Sequence, residues 1–218
     1  MRVASRGFGV ASNNTSISVA EPATVVTDCL IAGACGYFAF SLATGGASAN
    51  WVLGFALGGA SALVGGTVHG FPELGGKRGH KALWTLTLLL FGASAVAFGT
   101  GAVSVAYERM PQVVVQLAAA TALGAYMLAI LREPQFRVAG KLTLVMLAAF
   151  WAMCVSLALR DYTNPAWLMV ACVLLNAAGI AVQLSKLAPH PRFNHNDLFH
   201  VFQLAALSCL YLAVHAIS

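Results

Sequence analysis

Seven apolar stretches follow one another with short polar interruptions, at 23–44, 51–71, 82–106, 112–131, 139–159, 165–185 and 197–217. A lipid interior offers no hydrogen-bond partner, so a chain crossing it closes its own backbone bonds, and an α-helix does this with about 20 residues per crossing. Only 9% of the residues are charged and 59% are hydrophobic, against roughly 25% charged in a soluble domain. A water-soluble fold would have to expose most of this surface, so a soluble globular or disordered chain is excluded. The pattern predicts an all-α membrane protein: a flexible N-terminal tail over 1–22 and a seven-helix transmembrane bundle over 23–218, with no room for a separate soluble domain. The tail is polar, rich in Ser and Asn, and lacks the apolar core of a cleaved signal peptide.

The punctuation agrees. Pro22, Pro72, Pro111, Pro134, Pro165, Pro189 and Pro191 sit at or between the ends of the runs, where a missing N–H costs little. Trp51, Trp84 and Trp167 lie near run ends, as interfacial anchors do. The stretch GGASALVGG (58–66) favours close helix contact. The five cysteines fall inside apolar runs with no C-x-x-C pair, and read as small buried hydrophobes.

Lysine and arginine set the orientation. With seven spans, one side holds Arg2, Arg6, Lys77, Arg78, Lys81, Arg132, Arg137, Lys141, Lys186 and Arg192, and the other holds Arg109 and Arg160. The bias predicts a cytoplasmic N-terminus and an external C-terminus. The expected location is the bacterial cytoplasmic membrane, as a multi-pass protein. The net charge of +5 is accounted for by these loops, and no basic run interleaved with aromatics points to nucleic acid.

Ionisable groups inside a bilayer are costly and mark function. Asp28 lies early in the first run, His69 in the last turn of the second, His80 at the opening of the third, and His195, Asn196, Asp197 and His200 at the opening of the seventh. In the predicted topology all fall at one depth, the cytoplasmic end. Asn196, His200 and Gln203, at i, i+4 and i+7, share a helix face, and Asp197 and His200 are neighbours at i, i+3. His195 reaches the same place only from a non-helical segment or past a π-bulge.

Three imidazoles with an open fourth position suit a catalytic zinc ion, which brings the pKa of a bound water to about 7. His69, His195 and His200 are the candidate ligands. Asp28 and Asp197 are the candidate catalytic carboxylates, shuttling a proton or orienting an imidazole. Plainer roles stand beside these. Asp197 or Asn196 can cap the last helix, and His80 can be an interfacial residue among Lys77, Arg78 and Lys81. His69 or His200 can be a core histidine hydrogen-bonded to Asp28, which needs a partner in an apolar helix. Asn176 and Gln183 read as interhelical hydrogen-bonding residues.

The segments Thr27-Asp28, GGTVHGF (65–71) and FNHNDLFHVFQ (193–203), on seven helices with an inside N-terminus, resemble the CREST superfamily. That group includes alkaline ceramidases, the progestin and adipoQ receptors and related bacterial membrane proteins. More narrowly, the segments are similar to an uncharacterised family of small bacterial membrane proteins. The resemblance implies a zinc ion held by His69 and by a pair in the last helix, of which His200 matches the second member. Asn196 stands four residues before His200, where the superfamily has its first histidine. Gly65 stands where the superfamily has Ser, with Thr67 close by, and the third run has no Asp.

The leading expectation is a zinc-dependent membrane hydrolase acting on a lipid amide or ester. The pocket is completed from Asn196, Gln203, His80 and Thr67, and the partner is a membrane lipid as substrate or ligand. One rival is a non-enzymatic membrane sensor or small-ligand receptor on the same fold. The other is a bis-His haem redox protein using His69 and His200.

Overall fold

The computed structural model describes residues 19–218. Seven α-helices follow in order: α1 (Pro22–Thr44), α2 (Ala49–Gly70), α3 (Gly76–Ala106), α4 (Gln112–Arg132), α5 (Phe136–Leu159), α6 (Thr163–Ser185) and α7 (His195–His215). Each is long and apolar enough to cross a membrane, and no strand occurs among the described residues. The tail expected over 1–22 lies outside the described residues up to position 18. Its last residues are tied down, since Ala20 N–H donates to Gly70 O at 3.0 Å and Pro22 occupies the first turn of α1, where its fixed φ suits a helix start.

Six helices close a ring. α1 packs on α2, α2 on α3, α3 on α5, α5 on α6, α6 on α7, and α7 returns to α1. α4 stands outside, mainly against α3, and is the least buried of the seven. Its docking rests on Tyr126, whose hydroxyl donates to Leu88 O at 2.6 Å. The ring lies over Gly92, where a β-carbon would come within 1.9 Å of it.

The core of the ring is aromatic toward the end holding the α1–α2 turn. Phe55 is wholly buried, edge-on to Phe38 at 5.4 Å and to Phe98 at 4.9 Å. Glycines let the helices approach: Gly59 faces Cys35 and Ala32 of α1, while Gly65 and Gly66 face Asp28. This is the close contact that GGASALVGG foreshadowed.

Three expectations are corrected. Trp51 is 3% exposed and lies across Gly101, so it is a core residue. Trp167, by contrast, is 67% exposed. Cys29 is exposed, whereas Cys35, Cys154 and Cys172 are buried. α3 begins at Gly76 instead of 82, because Gly75 (φ 69°) and Gly76 (φ 62°) turn the chain through the left-handed region that glycine tolerates. Lys77, Arg78 and Lys81 therefore sit on the first turns of a helix and not in a loop.

Candidate functional site

The start of α1, the end of α2 and the start of α7 meet at one end of the ring. On α1, Glu21, Thr24 and Asp28 are spaced i, i+3 and i+7 and share a face. α7 is opened by Asn194, the N-cap, whose side-chain oxygen accepts from Asn196 N–H at 2.7 Å. Asp197 accepts in return from Asn194 N–H at 2.6 Å through Oδ2, completing a capping box. Its other oxygen accepts from the Thr24 hydroxyl at 2.7 Å. Asp197 is 1% exposed, yet both oxygens are occupied. The capping role weighed for it is the one its contacts fill, with the cap itself at Asn194 and not Asn196.

Asp28 is placed differently. It is 4% exposed. Its Oδ1 lies 3.6 Å from His200 Nε2, so the aspartate faces a histidine as its cost in an apolar helix requires. Its Oδ2 is buried with no hydrogen-bond partner among the described residues. Across from it stand the backbones of Gly65 and Gly66; a β-carbon on Gly66 would sit 3.5 Å from that oxygen. His200 also lies 2.9 Å from the Thr27 hydroxyl through Nδ1. The Thr27 hydroxyl carries one proton and also donates to Thr24 O at 3.0 Å, so the direction across the Thr27–His200 contact follows the imidazole tautomer. The result is a line of carboxylate, imidazole and hydroxyl.

Glu21 closes the outer side. Its Oε2 accepts from Thr24 at 3.0 Å, lies 3.5 Å from His69 Nδ1, and accepts from Asn194 at 3.4 Å. Burial pushes its carboxyl up. The Thr24 hydrogen bond, the electrostatic attraction of neighbouring His69 and the hydrogen bonds from Asn194 and His69 outweigh burial and hold it below its ordinary value. Beside it a cavity of about 330 Å³ is lined by Glu21, Val68, His69, Pro72, His80 and Trp84. A larger cavity, about 860 Å³, opens at the far end of α3 around Tyr107, Arg109 and Leu159. It includes none of the candidate site residues.

Of the three histidines expected to bind zinc, His69 and His200 share the nest but face different partners, and His195 lies apart from them. His69 turns to Glu21, and His200 to Asp28 and Thr27. His195 turns to Lys186, with Nε2 at 3.3 Å from Nζ. Among the described residues no group of three or more His, Cys, Asp or Glu side chains stands close enough to hold a metal ion. A three-imidazole zinc site does not fit the residues as they are arranged. Asn196 accepts from Gln183 of α6 at 3.0 Å. Thr67 donates to Leu63 O in its own helix. Gln203, half-buried on α7, makes none of these contacts. His80 belongs to the cavity and not to the nest.

Sequence reasoning passed over Glu21, Thr24 and Asn194. The signals were present: an acidic residue just before the helix-opening Pro22, and Asn194 three residues ahead of Asp197, a capping-box spacing.

A family model described as "Family of unknown function (DUF6962)" matches residues 23–218, and the chain belongs to that family. No curated protein and no solved structure matches it.

Proposed function

We propose that this family member is a membrane sensor or receptor for a small ligand, a membrane lipid or a lipid fragment, taken up at the α1–α2–α7 nest. The observation that carries the reading is the unpartnered Oδ2 of Asp28. A buried carboxylate oxygen without a donor is expensive, and Asp197, equally buried, shows that this end of the bundle can satisfy a carboxylate completely. A hydrogen-bond donor on a bound ligand pairs with this oxygen. The Lys and Arg bias supports a cytoplasmic N-terminus and a nest at the inner headgroup level of the membrane, read here as a bacterial cytoplasmic membrane. Native mass spectrometry of the detergent-purified chain tests this: the wild type carries a bound small molecule, and Asp28→Asn has lost it. Equal occupancy in both, or none in either, counts against the reading.

The line Asp28–His200–Thr27 favours a second reading, hydrolysis of a lipid amide or ester without metal. A carboxylate orients the imidazole; the imidazole takes the proton of a hydroxyl as it bonds to the acyl carbon and returns it to the departing amine or alcohol, and water then releases the acyl group as the acid. That reading shares its substrate class with the CREST resemblance but not its zinc. Lipid profiles of cells lacking or overproducing the chain separate the two: a hydrolase shifts a substrate-to-product ratio, and a receptor leaves it unchanged. Zinc analysis of the same preparations tests the metal route, which requires stoichiometric zinc that His200→Ala removes.

A further inference from the structure

The structure assigns the cavity between the starts of α1 and α3 and the end of α2 to the ammonium group of a zwitterionic headgroup, with the Glu21 carboxylate as counter-charge and the Trp84 indole as an aromatic wall. This deepens the receptor reading by naming the polar part of its ligand.

Four features carry it. First, the lining contains one carboxylate, two imidazoles and an indole, and neither Lys nor Arg, so the carboxylate is its one permanent charge and favours a cation. Second, every contact to Glu21 falls on Oε2, which leaves Oε1 free of protein donors among the described residues. The side chain keeps 40% of its surface exposed. Third, the indole is fixed: Trp84 Nε1–H donates to Pro134 O at 3.1 Å, and His69 stands edge-on to the ring at 6.5 Å and 84°. An indole held in place beside a carboxylate is the arrangement that attracts an organic ammonium, because the ring face is negative and an alkylated cation is cheap to desolvate. Fourth, Lys77, Lys81 and Trp84 are spaced i, i+4 and i+7 and share a face of α3, with both lysines exposed. They place positive charge outside the cavity, where a phosphate attached to the bound ammonium would lie. The volume, about 330 Å³, is at the small end for ligand pockets and suits a headgroup, with acyl chains left to the bilayer. A divalent metal would call for more than one carboxylate among the lining oxygens.

The test is made on the full chain in nanodiscs of phosphatidylglycerol doped with phosphatidylcholine or phosphatidylethanolamine, reading the co-isolated lipid by native mass spectrometry. The wild type is expected to enrich the ammonium lipids about tenfold over phosphatidylglycerol, a comparison that needs no variant. Glu21→Gln is expected to abolish that preference, and Trp84→Phe, which keeps a ring, to reduce it about threefold. Soluble phosphocholine forms a separate arm. Competition with the lipid shows that the free headgroup suffices, and absence of competition shows that the ligand must arrive as a lipid. Either result, with a Glu21-dependent preference, supports the assignment. Enrichment of phosphatidylglycerol equal to that of the ammonium lipids, or a preference unchanged in Glu21→Gln and Trp84→Phe, overturns it. Failure here leaves the receptor reading standing if Asp28→Asn still releases the ligand. Failure of Asp28→Asn to do so, with the headgroup preference intact, removes that reading and leaves the subsite.

Discussion

Toward one end of α1, Phe38 stacks on Tyr211 of α7 at 4.4 Å and meets Phe55 of α2 edge-on, while Ser41 and the Tyr211 hydroxyl share a 2.9 Å hydrogen bond. Toward the other end of the same three helices, Glu21, Asp28, His69, Asp197 and His200 meet. The aromatic end is closed: its rings interlock and its polar atoms find partners. The polar end is closed only in part. Asp197 is saturated by the capping box and Thr24, and Asp28, about two helical turns deeper than the start of α1, keeps a free oxygen. In a bundle whose helices gain little from the hydrophobic effect within lipid, the first end holds the ring together and the second leaves chemistry unspent. Sites that depart from full satisfaction are where function is to be sought.

Four substitutions sharpen or break this contrast. Phe55→Ala empties the centre of the aromatic end and is expected to cost about 3 kcal/mol, read by denaturant unfolding in micelles, with the ligand still bound before unfolding. Loss of ligand without loss of stability would mean that the two ends are not separate. Asp197→Ala removes the acceptor of Asn194 N–H and of Thr24, and should cost about 1–3 kcal/mol; a neutral result would show that its saturation is not structural. Asp28→Asn, nearly the same in shape, should leave unfolding stability within about 1 kcal/mol of the wild type or raise it, since relief of strain at a functional site commonly stabilises. A large loss there would make Asp28 a structural residue like Asp197. The smallest effect is expected from His195→Ala, within about 0.5 kcal/mol as for other surface changes, with lipid retention untouched. A His195→Ala variant that loses its ligand would bring the three-histidine arrangement back.

The same contrast explains what was legible in the sequence. The seven spans were plain because lipid imposes a long apolar run on every crossing, and the depth shared by Asp28, His69 and His200 followed from the alternation of charged loops. The partners at that depth were not legible. His195 and His200 stand five residues apart, and which of them turns inward depends on where α7 starts. The Asn194 cap starts it at His195, which aims that ring at Lys186. Glu21 looked like the end of a polar tail, and only the Ala20–Gly70 backbone bond, a contact between distant segments, folds it over His69. Trp51 was misplaced for a similar reason: nothing near it in the sequence announces that Gly101 leaves room for an indole.

The most direct test is the lipid-dependent shift in melting temperature of delipidated wild type and Asp28→Asn, measured side by side. If the free oxygen of Asp28 is kept for a ligand, the wild type rises by several degrees when membrane lipid is restored, and Asp28→Asn starts as high or higher and barely moves. Equal shifts in the two proteins would contradict the account.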